Sequence, residues 1–393
     1  MLYGDHYRSI YFQGLAGQKP DPPVAWDELE RAAEEAMADA SADYIYATAG
    51  TGDTYRANRE AFARTRIVPR MLRDVTERDL SIDLFGQKLP APVLLAPIGV
   101  QTAAHPDGEK ATARAAAKLG LPMVISSAAD TPMEEIAAAG DEAGKAEDAV
   151  GSRRWFQLYW PSDEGVARSF VDRAEASGCE AIVVTVDNYI PGWKPRDLQR
   201  AELPFVQGIG VAQFFSDPVF RSQLEKTPEE DLGAAVGHYL GVFVNPSLTW
   251  PDLERLRGWT SLPILLKGIL HPDDAREARE RGVDGIVVSN HGGRQVDGAI
   301  ASLDALPDIV NAADGMKVLI DSGIRSGADA FKALALGADA ILLGRPYIWG
   351  LALGGEAGVE EILRRFLAEL DLTIALTGHT RPSELSPGSL RTI

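Results

Sequence analysis

Short runs of apolar residues recur along most of this chain, and each run has the length and composition of a buried strand. The runs are rich in valine, isoleucine and leucine or in aromatic residues, as is typical of strands that are covered on both faces. There are eight of them: Pro92–Gly99, Pro122–Ala128, Trp155–Trp160, Ala181–Asp187, Pro263–Ile269, Gly285–His291, Lys317–Gly323 and Ala340–Pro346.

Stretches with a helical period lie between most of these runs. Examples are Gly108–Leu119, Glu164–Ala176, Pro272–Arg281, Ala328–Leu336 and Val359–Ile374. Eight strands that alternate with helices predict an α/β fold of the (β/α)8 type, a TIM barrel, and 393 residues suit such a barrel with insertions. An open, doubly wound sheet is the alternative, but the chain has no GxGxxG turn after an early strand.

Four segments lie outside the strand–helix repeat of a single domain that spans residues 1–393. Residues 1–24 predict an arm, Trp26–Ala42 predicts an amphipathic helix ahead of the barrel, and the acidic stretch Ala139–Val150 predicts an exposed loop. The longest addition, about Leu198–Ser261, separates the fourth and fifth strands and is rich in aromatic residues. Loops of this length are often lids, and an interface segment of an oligomer is the alternative.

Polar side chains gather at the carboxyl ends of the predicted strands, where barrel enzymes hold their active sites. The sixth strand ends at His291, and Arg294 follows within a glycine-rich turn. A proton acceptor beside a fixed cation suits an anionic substrate that must lose a proton, whereas a lone histidine often has a structural role only. Charges at the ends of apolar runs are costly unless they are paired or used. Other strand ends carry Ser126, Ser127, Gln157, Tyr159, Thr185, Asp187 and Lys267.

The last two strands predict a phosphate site. Asp321, Gly323 and Arg325 follow the seventh strand, and Gly344 and Arg345 follow the eighth. Loops in these two positions commonly bind phosphate in such barrels, with glycine N–H groups and arginine side chains as donors. Two ordinary turns with surface arginines are the alternative.

Composition narrows the classes of partner. The net charge of −18 argues against nonspecific binding to nucleic acid or to anionic membranes. No apolar run has membrane-spanning length and Met1–Gly17 lacks a signal-peptide pattern, so we expect a cytoplasmic protein. The single cysteine, Cys179, cannot form an internal disulfide, and we expect it to be buried. We expect no metal ion.

Several of these motifs, in the same order, resemble the FMN-dependent α-hydroxy acid oxidase and dehydrogenase family. The resemblance runs from about Trp26 to the C-terminus and is carried by Phe156–Tyr159, Leu265–Gly268, Ser289–Gln295, Asp321–Arg325 and Gly344–Pro346. Within the family the chain is most similar to the lactate 2-monooxygenases. That closer similarity rests on Pro69–Leu72, Thr76–Leu80, Gly192–Trp193, Pro195–Leu198 and Asp217–Phe220.

The resemblance implies a role for each residue that matches a family motif. His291 matches the catalytic base, Asp187 the carboxylate that pairs with it, and Tyr159 a hydroxyl that contacts the substrate oxygen. Arg294 and Tyr46 match the ligands of the substrate carboxylate.

The resemblance also implies FMN as the cofactor. Lys267 matches the lysine near N1 and O2 of the flavin, where a cation stabilises the anionic reduced form. Contacts with the ring and ribityl chain are implied for Ala96, Pro97, Ser126, Gln157, Thr185 and Ser289. Contacts with the ribityl chain and phosphate are implied for Asp321, Gly323, Arg325, Gly344 and Arg345.

Two positions depart from the family pattern. Lys194 stands where relatives usually carry a second substrate-binding arginine, and lysine keeps the charge but loses the bidentate geometry. Arg196 lies nearby in sequence and is a rival for this role. Ala128 replaces a bulkier residue of several relatives and predicts room for a substrate larger than lactate.

The resemblance implies oxidation of a small L-2-hydroxy acid such as L-lactate, with O2 as the acceptor. Decarboxylation of lactate to acetate is one outcome, and release of the 2-keto acid with hydrogen peroxide is another. A dehydrogenase with a different electron acceptor, and a flavin-free barrel that binds a phosphorylated metabolite, are the remaining alternatives. We also expect a homo-oligomer, either a tetramer or an octamer.

Overall fold

The structure of the protein is a computed structural model that describes residues 2–393. Its first part precedes the barrel and consists of α1 His6–Leu15, α2 Trp26–Ala36, α3 Asp39–Tyr46, α4 Asp53–Arg64, β1 Thr65–Ile67, β2 Ile82–Leu84 and β3 Gln87–Leu89. The last strand of the chain, β12 (Leu390–Thr392), pairs antiparallel with β1, while β2 and β3 form an antiparallel hairpin.

Eight parallel strands close into a barrel in the order β10-β11-β4-β5-β6-β7-β8-β9. These strands are β4 Val93–Leu95, β5 Met123–Ile125, β6 Arg154–Leu158, β7 Ile182–Thr185, β8 Ile264–Ile269, β9 Gly285–Val288, β10 Lys317–Ile320 and β11 Ala340–Leu343. Seven of them lie within one of the eight apolar runs, and β6 begins one residue before its run, at Arg154. The predicted (β/α)8 fold is therefore confirmed.

Helices surround the barrel and fill the connections between its strands. They are α5 Gly108–Leu119, α6 Met133–Ala143, α7 Glu164–Ala176, α8 Pro195–Arg200, α9 Ala212–Phe215, α10 Pro218–Ser222, α11 Leu232–Val242, α12 Asp252–Trp259, α13 Pro272–Glu280, α14 Ser302–Ala313, α15 Gly327–Ala335 and α16 Arg345–Leu376. Helix α16 is kinked at Gly354 and Gly355, where the backbone leaves the helical conformation.

Alternation of side chains along the strands produces two apolar layers. On β10, Leu319 points into the barrel, whereas Val318 and Ile320 pack outward against the helices. The interior layer is closed at the amino ends of the strands by the β2–β3 hairpin, which contributes Leu84 and Leu89. The opposite end, at the carboxyl ends of the strands, is left for polar side chains.

The N-terminal segments differ from the prediction. The arm of residues 1–24 contains helix α1, which His6 ties to Glu361 of α16 at 3.2 Å. The single helix predicted over Trp26–Ala42 is wrong, because Met37 and Ala38 adopt extended backbone angles and separate α2 from α3. This break turns the chain so that α3 reaches the barrel mouth.

Two further predicted loops contain helices. The stretch Ala139–Val150 begins inside α6, so only its second half is a loop. The long insertion between the fourth and fifth barrel strands, β7 and β8, contains the four helices α9 to α12. Within residues 2–393, none of the helices combines the length and the apolar character needed to cross a membrane.

A buried ion pair fixes the N-terminal segments to α16 and predicts a large effect on stability. Asp371 is 1% exposed and accepts hydrogen bonds from Gly4 N at 2.7 Å and from Arg78 Nε and Nη2 at 2.6 and 3.1 Å. We expect Asp371→Ala to lower the free energy of unfolding by about 3 kcal/mol, because it leaves the Arg78 charge unpaired. Denaturant unfolding measures this. Asp172→Ala, which removes an exposed pair with Arg168, should change it by less than about 0.5 kcal/mol.

Candidate active site

A cavity of about 340 Å³ lies at the carboxyl ends of the barrel strands. It is walled by strand ends and the loops that follow them, by α3 and by the long insertion. Among the predicted site residues, those that line it are Ala96, Pro97, Ser126, Tyr159, Lys194, Lys267, His291, Arg294, Asp321, Gly323, Arg325, Gly344 and Arg345. Asp187, Gln157 and Ser289 lie just behind this wall and bond to residues on it, and Thr185 bonds to Gln157.

His291 is held with both ring nitrogens engaged. Its Nδ1 lies 2.8 Å from Asp187 Oδ1 and its Nε2 lies 3.2 Å from the Tyr159 hydroxyl. An ionised carboxylate can only accept, so Nδ1 carries a proton, and Nε2 is the ring nitrogen that faces Tyr159 and the cavity. The backbone at His291 has φ of +58°, a left-handed conformation, and its N–H donates to Ser289 Oγ at 3.0 Å.

Asp187 remains an anion although it is buried. Burial opposes its ionisation, but attraction and a hydrogen bond from His291, together with the charge of Lys267, hold its pKa below the ordinary value. Its Oδ2 has no hydrogen-bond partner in the described chain. Gly268 allows this packing, since a Cβ there would lie 2.7 Å from the Asp187 side chain. Such a carboxylate can stabilise a protonated imidazole.

Lys267 is a buried cation at the centre of the strand ends. Its Nζ donates to Ser289 Oγ at 2.9 Å and lies 3.0 Å from Asp321 Oδ2. Burial opposes the charge, but attraction to Asp321 and Asp187 outweighs it and raises the pKa of the ammonium. Lys267 therefore stays charged at neutral pH, as its predicted role requires.

Three neighbouring strand ends are joined by a row of hydrogen bonds. Ser126 Oγ donates to Gln157 Oε1 at 2.9 Å, and Gln157 Nε2 donates to Thr185 Oγ1 at 3.1 Å. All three side chains are buried. We call this row, together with Ala96 and Pro97 at the end of β4, the floor, and its members Ala96, Pro97 and Ser126 line the cavity as Lys267 does.

Two arginines at the far end of the cavity lack a hydrogen-bonded carboxylate among residues 2–393. Arg325 lies between the rings of Trp349 and Tyr55, its Nε is buried without a hydrogen-bond partner, and the nearest carboxylate oxygen, on Glu30, is 4.0 Å away. Arg345 donates only to backbone carbonyls. Burial, together with repulsion from Arg325 and Arg294, lowers its pKa to about 9. Buried like charges in this arrangement require an anion.

The glycines beside these arginines leave room for that anion. The position of a Cβ on Gly344 faces open space, and Gly344 directly precedes the first turn of α16. The N–H groups at a helix start are ready donors for phosphate. Gly323 has φ of +83° and lies so close to Asn58 that a Cβ would come within 2.8 Å of its side chain.

The tyrosine predicted to bind the substrate is not brought to the cavity. The Tyr46 hydroxyl donates to the Glu30 carbonyl oxygen at 3.0 Å. Tyr44, in contrast, lines the cavity, and its ring centroid lies 5.4 Å from Cζ of Arg294. Both residues are near the end of α3 and are two positions apart, so their side chains lie on different faces of the helix. The structure therefore corrects the prediction from Tyr46 to Tyr44.

Of the two cations that follow β7, Lys194 and Arg196, only Lys194 reaches the cavity. Lys194 lines the cavity, whereas Arg196 points outward to Glu34 at 3.3 Å and Asp43 at 3.8 Å. Burial and the nearby charge of Arg294 lower the pKa of Lys194 to about 8. The two-residue offset from Lys194 to Arg196 spans part of a helical turn of α8, which is enough to turn the second side chain away.

The fold and these contacts agree with one family of flavoproteins. A sequence model described as FMN-dependent dehydrogenase matches residues 33–392. The chain belongs to the FMN-dependent dehydrogenase family. An L-lactate oxidase of Lysinibacillus sphaericus (strain C3-41) is 44% identical over 372 residues, which cover 94% of this chain and 93% of that protein.

Other relatives in the family are oxidases of several hydroxy acids. The 2-hydroxyacid oxidase 1 of Homo sapiens is 42% identical over 90% of this chain and 93% of its own length. A crystal structure of mandelate oxidase superposes with a TM-score of 0.81 at 40% identity, and the match covers 94% of this chain and 98% of that one. The chain is thus an FMN-dependent α-hydroxy acid oxidoreductase, as the sequence motifs predicted.

The cavity fits FMN. Its arginine end supplies a buried donor without a hydrogen-bond partner, its floor supplies buried polar side chains for the ring and ribityl chain, and Lys267 provides a fixed cation. His291, Arg294 and Lys194 line the same cavity and do not belong to this set, and we call the part of the cavity that they line the substrate side.

The long insertion covers the substrate side with apolar residues that we call the roof: Leu203, Phe205, Leu240, Phe243 and Val244. Phe243 packs against Tyr159 and Phe205 against Tyr44, with ring centroids 5.8 and 6.4 Å apart. The base of the roof is fixed where Gly210 N donates to Asp130 Oδ1 at 2.6 Å. Ala128 lies on the cavity wall and is 4% exposed.

Several cavity residues were not predicted. Asn188, Asp197 and Ser322 follow a predicted site residue within a few positions, so their place after a barrel strand was a usable signal. The roof residues on and after α11 had no such signal in the sequence, because their position depends on how the insertion folds back over the barrel.

The correction from Tyr46 to Tyr44 predicts opposite outcomes for two matched substitutions. Tyr44→Phe should raise KM for the hydroxy acid by about tenfold, since a hydroxyl beside Arg294 is lost. Tyr46→Phe removes only a bond to a backbone carbonyl and should leave KM within about twofold. Steady-state oxygen uptake measures both. A larger effect at Tyr46 than at Tyr44 would restore the original assignment.

Proposed function

We propose that this chain oxidises an L-2-hydroxy acid to the 2-keto acid with dioxygen as the electron acceptor. The observation that carries the proposal is His291, which Asp187 orients so that its Nε2 faces the Tyr159 hydroxyl and a cavity that also holds Arg294 and Lys194. A base between fixed cations suits removal of a proton from an anionic substrate. Support for oxygen comes from the relatives, which include L-lactate oxidases and 2-hydroxyacid oxidases.

The substrate side positions the acid. Arg294 and Lys194 bind the carboxylate, and Tyr44 lies next to Arg294 to add a hydroxyl donor. Tyr159 contacts the substrate oxygen, and His291 Nε2 accepts the substrate proton. Asp187 stabilises the imidazolium that results, because its carboxylate is ionised and bonded to Nδ1. Holding the groups in this geometry before the substrate arrives is itself a large part of catalysis.

The remaining residues hold the cofactor. Arg325, Arg345, Gly323 and Gly344 would bind the phosphate of FMN, with Asp321 and Ser289 near the ribityl chain. The ring would lie on the floor formed by Ala96, Pro97, Ser126, Gln157 and Thr185, with Lys267 as its fixed cation. When bound, FMN supplies the two-electron acceptor that passes electrons on to oxygen.

We propose further that L-lactate is converted to acetate, CO2 and water, as in a lactate 2-monooxygenase. One O2 is consumed for each lactate: oxidation yields pyruvate and hydrogen peroxide, and peroxide then cleaves the bond between C1 and C2 of pyruvate before either escapes. The roof favours this outcome, since it covers the substrate side and would slow release of the keto acid. Release of pyruvate and peroxide is the alternative.

The assignment of His291 predicts a selective loss of the reductive step. His291→Gln should lower the rate of flavin reduction by about 10²–10⁴-fold while FMN stays bound, because only the proton acceptor is removed. Anaerobic mixing with L-lactate, followed at the flavin absorption band, measures this rate. His271→Gln, at an exposed histidine, is the control and should reduce at the normal rate. Bleaching of the His291→Gln variant at the normal rate would refute the assignment.

The monooxygenase proposal predicts the products. Aerobic turnover of L-lactate by the native enzyme should yield acetate and CO2 with little peroxide, and Phe205→Ala together with Phe243→Ala should shift the products toward pyruvate and peroxide. Phe215→Ala, in the same insertion but off the cavity wall, should retain the native ratio. Stoichiometric pyruvate and peroxide from the native enzyme would make the chain an oxidase, and no oxygen uptake at all would point to a dehydrogenase.

A further inference from the structure

The loop that carries Lys194 is docked against the loop that carries Arg294. Gly192 N donates to Gln295 Oε1 at 3.2 Å, and a Cβ on Gly192 would lie only 2.6 Å from the Arg294 carbonyl oxygen. A third loop joins them, since Gly50 N donates to the Trp193 carbonyl oxygen at 2.9 Å. This close backbone contact needs glycine and keeps Lys194 next to Arg294.

The side chain of Lys194 has no hydrogen-bond or ion-pair partner within the part of the chain that the structure describes. Its neighbour Arg294, by contrast, uses Nη1 to bind the carbonyl oxygens of Tyr44 and Ala47, both at 2.9 Å. A lysine that lines a cavity without a partner is a ready ligand for an anion that enters it. The rival cation, Arg196, is occupied outside the cavity.

The charges around Lys194 come from three elements. Arg294, in the loop after β9, disfavours the ammonium, and Asp197, one helical turn along α8, favours it. Helix α3 presents Tyr44 and, farther out, Asp43, which is engaged by Arg200. Asp197 lines the cavity near Lys194, yet its carboxylate makes no hydrogen bond or ion pair among residues 2–393. It therefore acts on Lys194 through space and leaves the ammonium free.

We propose that Lys194 is a titratable ligand of the substrate carboxylate, tuned by Asp197, so that mildly alkaline conditions weaken substrate capture and spare the chemical step. The proposal rests on the proposed function. Asp197 is a positioning residue here, because it adjusts the charge of Lys194 and not the reacting atoms. An arginine in place of Lys194 would keep its charge throughout this range.

The sign of the effect follows from the burial of Lys194. Burial first, and then repulsion by Arg294, lowers the Lys194 pKa to about 8, while Asp197 partly offsets them. Below that pH the ammonium is present and the substrate anion binds both cations. Above it the free enzyme loses the proton, and binding must restore it at a cost that grows with pH. KM therefore rises with pH, whereas kcat, set in the occupied site, does not show this transition.

Binding of a non-reactive anion to the FMN-loaded enzyme tests the proposal without turnover. The probe is 2-hydroxy-2-methylpropanoate, which lacks the hydrogen to be removed, and its Kd is read from the change in flavin absorption. For the native enzyme we expect Kd to rise about tenfold between about pH 7 and pH 9. Lys194→Arg should bind tightly and equally at both pH values, and Lys194→Met should bind weakly at both.

Two further variants separate charge tuning from general damage. Asp197→Asn should shift the rise in Kd to lower pH, because it removes the negative charge that stabilises the protonated form of Lys194. Arg196→Met should follow the native profile, since Arg196 contacts Glu34 and Asp43 and not the cavity. The proposal would be overturned if Lys194→Arg showed the same rise in Kd with pH as the native enzyme. It would also be overturned if Lys194→Met bound the probe near pH 7 as tightly as the native enzyme does. Probe binding in the expected pattern without oxidation of any 2-hydroxy acid would instead refute the proposed function.

Discussion

The site depends on holding several cations around one cavity inside a strongly acidic protein. Lys267, Arg294, Arg325, Arg345 and Lys194 all line it, and few carboxylates are placed to neutralise them. Burial makes such a group of like charges unfavourable, as the lowered pKa values of Arg345 and Lys194 indicate. The barrel can hold the cations apart because each extends from a separate strand end or loop. An anionic ligand that binds among them relieves their mutual repulsion, and this relief strengthens its binding.

The acidic residues that are present are placed selectively. Asp321 is paired with Lys267 and Asp187 with His291, so each carboxylate lies against one functional group and fixes its position. Within residues 2–393, Arg325 and Arg345 have no carboxylate at hydrogen-bond distance, and the nearest to Arg325 is Glu30 at 4.0 Å. In the function that we propose, the charges around His291 and Lys267 are balanced by carboxylates of the protein, whereas the phosphate of the cofactor balances the two arginines.

Much of this arrangement could be predicted from the sequence, since the buried strands are continuous apolar runs and a parallel barrel gathers their carboxyl ends at one place. That reasoning identified His291, Asp187, Tyr159, Lys267 and both arginine loops as neighbours. It failed where position depends on helix phase or tertiary packing. Tyr46 and Tyr44 differ by a step of two residues on α3, and no local pattern indicates which of them faces the cavity. The break at Met37 and Ala38 has no proline or glycine to mark it.

The way the roof is attached has an evolutionary consequence. Its residues belong to an insertion outside the strand–helix repeat, which is tied to the barrel at its base through Gly210 and Asp130. The groups that we propose to remove the proton and to hold the phosphate lie on the barrel itself. Sequence changes in the insertion can therefore alter which side chain the enzyme accepts while the residues of the reaction stay in place. Such separation lets one ancestral chemistry diversify over many acids, and the range of acids named for this chain's relatives, from lactate to mandelate, fits that history.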